Sequence, residues 1–431
     1  MTDSRPLGEH ERLLHYLHAF GGLIATEVLQ LRGPLDPEQI RAALRFLQRQ
    51  HPILRAHIRY REIVFRKEAP YIYRQPWFEM AGTTEIPLLT SNLPWEEAMT
   101  RSLRTPLPRG KNPRIQLTLI PDPADPDVTR LLIVADHAAV DAYSVNMMTR
   151  QLFEYLEDPA GTEARTTPTH ASLPPPLEQG LPKKSGSGKH YTPALRIPPQ
   201  RRERGRAATR IVAHSIPAPV IDALKARARA RGATLHGVLT AGFFLAMRDL
   251  FGVEAMTVLS SFDLRRMGKP PLPDGTFGCY IDIIRTKHQI TDFWTTARDI
   301  SFRLISAVAK DHASATFMRL PTIPEYKIEF WPTLTHGRRI DGLAVTTAGE
   351  STLKSRYGNH VIEAITMGIS LDIFGPGLLV LSNEREGALD LSVNYATRAM
   401  TAEVATRLTE RAIAIFSEAI AEEPAQPATT A

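Results

Sequence analysis

The clearest hydrophobic pattern in the chain is an unbroken run of five apolar residues, 131–135, followed by a short polar loop. Such a run is typical of a strand that is buried on both faces. The loop, residues 136–141 with the sequence DHAAVD, leads into a segment whose apolar residues recur at helical spacing: Val145, Met148, Leu152 and Leu156. The pattern therefore predicts that a strand and a helix hold His137 between them on rigid supports.

The residues on either side of this segment predict an N-terminal lobe, 1–157, that mixes helices and strands. Asp36 is expected to be the N-cap of a helix, with Gln39 in the capping-box position. Pro52 favours an extended chain over residues 51–55. The other predicted elements are a helix that starts at Pro37 and strands at 24–31, 114–120 and 130–135, the last two forming a hairpin whose second strand ends at His137.

A proline-rich stretch with little periodicity, residues 158–205, predicts a linker between two lobes. Residues 206–421 predict a C-terminal lobe, and residues 422–431 predict a disordered tail. The predicted strands are 210–216, 256–261, 279–286, 343–347, 364–370, 378–383 and 388–395, and the predicted helices are 218–231, 235–250, 292–309 and 401–421. The second lobe thus repeats the first one's helices on a mostly antiparallel sheet, which makes the fold class α+β.

Composition narrows the possible classes of protein. The length of 431 residues suits two lobes or domains, and 43% hydrophobic residues allow a sizeable core. A single cysteine, Cys279, excludes internal disulfides and fits a reducing cytosol. The absence of a long apolar run, of a signal peptide and of a glycine-rich phosphate loop predicts a cytoplasmic protein with no membrane span and no nucleotide chemistry.

The net charge of +6 is concentrated in one segment. Residues 181–210 hold nine Lys or Arg residues and one acid, a net charge of +8, so the remainder of the chain is slightly acidic. The basic residues lie among prolines and glycines instead of alternating with aromatic residues over a folded face, which argues against a nucleic-acid partner. Two interpretations stay open, a solvated linker and a docking patch for an acidic partner.

Taken alone, His137 and Asp141 favour an ordinary structural interpretation. Asp141 suits the N-cap of the following helix, and His137 suits a loop histidine whose hydrogen bonds are satisfied. Metal binding needs a third ligand, and neither an H-E-x-x-H motif nor a cysteine cluster supplies one. The spacing of His137 and Asp141 recurs by chance in many sequences. Only the rest of the chain can therefore distinguish a structural role from a catalytic one.

The rest of the chain resembles one family. Residues 136–144, DHAAVDAYS, resemble the HHxxxDG motif of the condensation-domain superfamily, which shares the chloramphenicol acetyltransferase-like fold. Residues 51–55 (HPILR), 263–265 (DLR) with 278–281 (GCYI), and 387–395 (GALDLSVNY) resemble its other conserved stretches. The resemblance spans nearly the whole chain and is strongest to free-standing acyltransferases of the phthiocerol dimycocerosyl transferase type and to stand-alone condensation enzymes.

This resemblance implies two chloramphenicol acetyltransferase-like lobes, each a mostly antiparallel sheet with helices, and an active-site channel between them. It implies that His137 is the catalytic base, because an alcohol is a poor nucleophile until its proton begins to leave. It also implies that Asp141 pairs with Arg265 to link the lobes, and that the amide of Ala142 is a candidate oxyanion donor. Channel-lining candidates are Tyr143, Ser144 and Thr346.

Two positions depart from the motif. Asp136 replaces its first histidine, and this carboxylate either only shapes the loop or raises the basicity of His137. Ala142 replaces its glycine, which would strain the backbone if that position needed a positive φ. Cys279, in a predicted strand, is expected to belong to the core and not to act as a nucleophile.

The implied reaction moves an acyl group from a thioester on phosphopantetheine or coenzyme A to an alcohol, with no bound cofactor and no metal. An acyl carrier protein is the expected donor partner of a monomeric chain, since carriers are acidic and the basic segment offers Arg201, Arg202, Arg204 and Arg206 for docking. Amide formation on an amine acceptor and a catalytically silent binding or scaffolding role stay open as alternatives.

Overall fold

The computed structural model describes residues 3–65, 72–166, 172–179, 208–267, 270–309, 339, 342–350, 352–373 and 375–421. The strands of the first half are β1 (Ser4–Pro6), β2 (Ile24–Arg32), β3 (His57–Phe65), β4 (Ile72–Glu79), β5 (Leu88–Thr90), β6 (Ile115–Pro121) and β7 (Val128–Asp136). Its helices are α1 (Glu9–Ala19), α2 (Pro37–Gln50), α3 (Trp95–Ser102), α4 (Ala142–Glu157) and α5 (Pro159–Arg165).

The strands of the second half are β8 (Thr209–Ile216), β9 (Ala255–Asp263), β10 (Ile281–Gln289), β11 (Leu343–Glu350), β12 (Arg356–Tyr357), β13 (His360–Ile369), β14 (Leu378–Arg385) and β15 (Ala388–Ala396). Its helices are α6 (Ala218–Ala230), α7 (Leu235–Phe251), α8 (Phe293–Ala309) and, numbered within the described residues, α9 (Ala402–Ala421). No described helix has the length and apolar character needed to cross a membrane.

Two six-stranded mixed sheets carry these helices. The first has the strand order β12-β13-β2-β7-β6-β5, and only its β5–β6 pair is parallel among the described strands. The second has the order β10-β9-β11-β14-β15-β8, in which β11 runs parallel to both of its neighbours. Antiparallel pairs are the majority in both, so the predicted α+β architecture of two sheets with helices is confirmed.

Two strands of the second half of the chain, β12 and β13, lie in the first sheet. The segment predicted as a second-lobe strand at 364–370 is β13, and it pairs antiparallel with β2, with Met367 opposite Glu27. Residues 206–421, the predicted C-terminal lobe, therefore contribute two strands to the first sheet. The sequence pattern does not show this, because alternation of apolar residues reports which face of a strand is buried but not which strand lies beside it.

Local signals explain most element boundaries. The carboxylate of Asp36 caps α2 by accepting the amide of Glu38, instead of the amide of Gln39 that a capping box would use. The predicted extended stretch after this helix is extended only at His51, and residues Pro52–Arg55 then form a 3₁₀ turn. In the second half, Thr234 caps α7 through the amide of Gly237 as its sequence suggests.

The predicted linker begins with ordered structure. Asp158 caps α5 by accepting the amide of Gly161, so residues 159–165 are helical where little periodicity was expected. A short 3₁₀ turn, Leu177–Gln179, is also described. Linker residues 167–171 and 180–205 lie outside the described residues, and so does the predicted tail at 422–431. The docking candidates Arg201, Arg202, Arg204 and Arg206 belong to this undescribed part.

The larger hydrophobic core joins the two halves of the chain. It contains Leu29 of β2 and Ile133 of β7 from the first sheet, together with Leu259 of β9 and Leu381 of β14 from the second. A second core packs α6, α7, α8 and α9 on the opposite face of the second sheet. The two sheets therefore meet across a shared apolar interface, and β7 delivers the DHAAVD loop to it.

Candidate active site

The loop that follows β7 places His137 at the edge of the interface between the sheets. β7 ends at Asp136, which pairs with Ile24 at the start of β2, so the loop begins where the first sheet stops. α4 begins at Ala142, five residues after His137, with Asp141 as its N-cap. The predicted arrangement of strand, histidine loop and helix is confirmed.

The hydrogen bonding of the His137 ring fixes its tautomer. Nδ1 lies 2.8 Å from the carbonyl oxygen of Val140, and because a carbonyl only accepts, Nδ1 carries the proton. Among the described residues Nε2 has no hydrogen-bond partner. The ring is half-buried and lines a cavity between the two sheets. This geometry leaves Nε2 available to a ligand.

A buried thiol and a second imidazole lie behind His137. Cys279 Sγ is 3.6 Å from His137 Nδ1 and 3.5 Å from His10 Nε2. Burial raises the pKa of the Cys279 thiol well above its usual value, so the sulfur stays protonated, as expected for a core cysteine. Burial, together with the proximity of His137, lowers the pKa of His10 to about 3, so His10 is neutral.

Asp141 and Arg265 form the ion pair that the resemblance implies. Arg265 Nη1 donates to Asp141 Oδ2 at 2.8 Å, and Nη2 donates to Oδ1 at 3.0 Å. The Asp141 carboxylate also accepts the amides of Ser144 and Tyr280, both at 2.9 Å. Burial alone would raise the pKa of Asp141, but the charge and hydrogen bonds of Arg265 lower it. The carboxylate is thus ionised, fully buried and occupied by structural bonds.

Arg265 is held on all sides. Its Nε donates to the carbonyl of Thr276 and its Nη2 to the carbonyl of Gly278. The guanidinium also lies between two aromatic rings, 4.4 Å from the centroid of Tyr143 and 5.0 Å from that of Tyr280. The pair therefore ties the start of α4 to the segment between β9 and β10.

The other predicted site residues have different surroundings. Ala142, Tyr143 and Thr346 line the cavity. Ala142 is the first residue of α4 and does not have a positive φ, so the strain that the missing glycine could have caused is absent. Ser144 does not line the cavity: its buried hydroxyl donates to the carbonyl of Gly278 at 2.8 Å and accepts the Gly278 amide at 3.0 Å. Ser144, a predicted channel-lining residue, is therefore placed against the segment between β9 and β10.

Asp136 belongs to a buried polar cluster on the other face of β7. Its Oδ2 accepts from Arg114 Nη2 at 3.0 Å and lies 2.7 Å from His15 Nδ1. Burial would raise the pKa of Asp136, but His18, His15 and Arg114 together hold it well below its usual range. Because successive residues of a strand face opposite sides, Asp136 points away from the cavity that His137 lines. Its charge is compensated by Arg114, and it supports the loop by accepting the amide of Ala138.

The cavity has a volume of about 220 Å³ and is walled by both sheets. Its lining is mostly apolar, with Ile133 and Met367 from the first sheet and Ile283 and Leu379 from the second. A carboxyl group, Glu27 of β2, also lines it. The cavity can therefore take an apolar chain whose reactive end reaches His137.

Sequence reasoning missed several members of this site. His10 and His15 lie on α1, a helix whose three histidines in ten residues were a readable signal. Glu27 is the single acid in the apolar strand 24–31, which is also a signal, because an isolated acid in a buried strand needs a reason. Arg114 carried no such signal, since its partner Asp136 is known only from the three-dimensional contact.

Comparison with known proteins places the fold. Trichothecene 15-O-acetyltransferase from Fusarium sporotrichioides matches 97% of this chain and 95% of its own, with a TM-score of 0.70 and 14% identity. Polyketide synthase associated protein 5 from Mycobacterium tuberculosis matches 96% of this chain and 98% of its own, with a TM-score of 0.64 and 16% identity. The first condensation domain of the calcium-dependent antibiotic synthetase matches 98% and 97%, with a TM-score of 0.67 and 14% identity.

No protein-family model matches the sequence, and no curated protein matches it. The likeness to solved structures covers almost the whole length of both partners in each of these comparisons. The chain thus has the two-lobed fold of condensation domains and chloramphenicol acetyltransferase-like proteins, as its motifs predicted.

Proposed function

Starting from this fold, we propose that the protein is an acyltransferase that moves an acyl group from a thioester to an acceptor hydroxyl. One observation carries the proposal: His137 lines a cavity built from both lobes, its Nδ1 bonds the Val140 carbonyl, and its Nε2 has no partner among the described residues. The names of the structural neighbours, an O-acetyltransferase, a polyketide synthase associated protein and a condensation domain, favour the same class of reaction.

In the proposed reaction His137 acts first as a base and then as an acid. Nε2 takes the proton of the acceptor hydroxyl while its oxygen attacks the thioester carbonyl carbon. The tetrahedral intermediate then collapses, the carbon–sulfur bond breaks, and the imidazolium returns its proton to the leaving thiolate. The bond from Nδ1 to the Val140 carbonyl keeps the ring in the required tautomer and stabilises the imidazolium while it exists.

The start of α4 is the proposed site for the negative charge that develops on the thioester oxygen. Asp141 occupies the amide of Ser144, whereas the amides of Ala142 and Tyr143 have no partner among the described residues. Both residues line the cavity, and the helix N-terminus favours negative charge there. Asp141 and Arg265 are proposed as positioning residues that hold this turn, and neither takes part in the proton transfer.

The proposed donor is a thioester on phosphopantetheine, carried by an acyl carrier protein, or on coenzyme A. The basic residues Arg201, Arg202, Arg204 and Arg206 remain our docking candidates for an acidic carrier. Replacing these four by Gln should slow transfer from a loaded carrier and leave transfer from the matching coenzyme A thioester unchanged. Equal rates with the loaded carrier before and after the change would remove the docking role.

The decisive experiment is intact-mass detection of acyl transfer from loaded carriers and coenzyme A thioesters to a panel of alcohols and amines. We expect His137→Ala to lower the rate by at least about a hundredfold, because it removes the base. His214→Ala, an exposed histidine on β8, is the matched control and should leave the rate unchanged. Unchanged product formation by His137→Ala would overturn the role of His137 as the base. The absence of product with the wild-type chain would favour a binding or scaffolding role, and acylation of amines alone would favour amide formation.

A further inference from the structure

Glu27 is a carboxyl group in the apolar wall of the cavity that the proposed reaction leaves without a role. It lies in the middle of β2, is 5% exposed, and lines the cavity together with Ala25 of the same strand. On one side it is paired with Ile133 of β7, and on the other with Met367 of β13. All three of these apolar residues line the cavity as well.

The Glu27 carboxyl group lacks the compensating partner that Asp136 and Asp141 possess. Asp136 and Asp141 each have a buried arginine partner. Within the described residues Glu27 has no ion-pair partner, and its one hydrogen bond is a long one from Thr149 Oγ1 at 3.4 Å. The charged group whose field acts on it is another acid, Asp390. Burial accordingly raises the pKa of Glu27 to about 7, and Asp390 acts in the same direction.

A purely structural role explains this arrangement poorly. Burying a carboxyl group among apolar side chains costs free energy unless a partner compensates it. A glutamine or a leucine at position 27 would fill the same space without that cost. The open position of the carboxyl group in the cavity therefore indicates a partner that arrives with the ligand.

The position of Glu27 along the sheet shows which part of a ligand it can reach. Its partner Ile133 lies three residues before the end of β7 at Asp136, about 10 Å along the strand, and His137 follows that end. That separation excludes Glu27 from proton transfer at the reacting atoms. It suits contact with the far end of a chain that fills the cavity.

We propose that Glu27 is a specificity-determining residue that binds a protonated amino group at the end of the substrate distant from His137. The inference rests on the proposed acyl transfer and names a feature of its substrate. A carboxylate that meets an ammonium inside an apolar cavity forms a charge-assisted hydrogen bond, and the bound amine supplies the positive charge that the protein lacks there. The amine belongs either to the acceptor or to the acyl group.

Binding of simple probes to the full chain tests the proposal. The acceptor arm compares straight-chain amino alcohols of increasing length with the matching alkanols. The acyl arm compares ω-aminoacyl pantetheine thioesters with the matching fatty acyl pantetheine thioesters. In at least one arm we expect isothermal titration calorimetry to show the amino form binding at least about tenfold more tightly, and the arm that shows it identifies which substrate carries the amine.

Two variants separate this inference from a general effect on the fold. Glu27→Gln should abolish the preference for the amino form and leave the affinity for the uncharged form unchanged. Glu363→Gln, a carboxyl group on β13 that pairs with Arg32 and does not line the cavity, should keep the preference. His137→Ala should also keep it, so a failure of the proposed chemistry would leave the binding result intact. A preference that survives in Glu27→Gln, or its absence from both arms in the wild-type chain, would overturn the proposal.

Discussion

The guanidinium of Arg265 makes two parallel hydrogen bonds to the carboxylate of Asp141, at 2.8 and 3.0 Å, across the boundary between the two lobes. Arg265 follows β9 of the second sheet, and Asp141 caps α4 beside the first. Since the same carboxylate caps the helix behind His137, the pair couples the contact between the lobes to the position of the base.

Breaking this pair should destabilise the fold. We expect Arg265→Ala to lower the free energy of unfolding by about 3–5 kcal/mol, because it leaves the Asp141 carboxylate buried without its cation. Arg265→Lys should recover only part of the loss, since lysine cannot make both bonds at once. Denaturant unfolding measures both. Arg303→Ala, which removes an exposed pair with Asp299, should cost at most about 1 kcal/mol, and an equal cost for the two pairs would contradict the assignment.

Ser144 and Thr346 should separate stability from substrate binding. Ser144→Ala removes a buried hydroxyl that bonds Gly278 and Arg265, so we expect a loss of about 1–3 kcal/mol in unfolding free energy and an unchanged KM. Thr346→Val, in the cavity wall, should change KM and leave the stability nearly unchanged. Steady-state kinetics and thermal unfolding of both variants check the prediction, and a raised KM for Ser144→Ala alone would reverse the two roles.

Much of the fold was readable from local patterns, whereas long-range pairing was not. The strand before His137 and the caps at Asp36, Asp141 and Thr234 follow from apolar runs and from side chains that accept helix amides. The pairing of β13 with β2 joins segments more than 300 residues apart, and neither sequence identifies its pairing partner.

The site shows the same division. The Asp141–Arg265 pair was accessible only because the family resemblance connects two distant motifs. The orientation of Ser144 was not accessible from the sequence. Packing decides whether a helix position faces the cavity or the lobe interface, and the sequence of the helix does not specify that packing. Likewise, Glu27 lines the cavity because β2 lies between β7 and β13. The sequence of β2 alone does not specify these neighbouring strands.

Asp136 should contribute stability that depends on pH. Its pKa lies well below the usual value in the folded chain, so the unfolded chain binds a proton more readily, and this stability is present above about pH 4 and is lost as the pH falls further. We expect Asp136→Asn to cost about 3–5 kcal/mol at neutral pH, because Arg114 stays buried without its anion. Urea unfolding at a series of pH values should show the unfolding free energies of the wild type and Asp136→Asn converging under acidic conditions. A difference that is independent of pH would show that Asp136 is not ionised.

Cys279 should be chemically silent in the folded chain. The thiol is 2% exposed and its pKa is raised well above the usual value, so little reactive thiolate forms. We expect iodoacetamide at mildly alkaline pH to leave the native chain unmodified and to label it fully once guanidinium has unfolded it, as intact mass would show. Rapid labelling of the native chain, with loss of acyl transfer, would instead reopen the possibility that the thiol participates in the reaction.

Glu27 should make the folded chain less stable as the pH rises. Its pKa is about 7 in the folded chain, above the value near 4.5 of an exposed glutamate, so between these values the folded state holds a proton that the unfolded state has released. The unfolding free energy therefore falls as the pH rises through this window, and the full penalty, about 3 kcal/mol, is present above pH 7. Glu27→Gln removes it, so the variant should become progressively more stable than the wild type between about pH 5 and pH 8.

The measured quantity is the difference in unfolding free energy between the wild type and Glu27→Gln. This difference cancels the contribution of Asp282, a second buried acid whose pKa is raised to about 7 by burial. Glu363→Gln serves again as the matched control. Its effect on the unfolding free energy should have the opposite sign, because hydrogen bonds to Gln30 and Arg32 lower the pKa of Glu363. A saturating amino probe should reduce the advantage of Glu27→Gln at alkaline pH, since the bound ammonium stabilises the carboxylate only in the wild type. A constant difference across the pH range would mean that Glu27 already has a partner in the free protein, and the cavity would then offer no site for an amine.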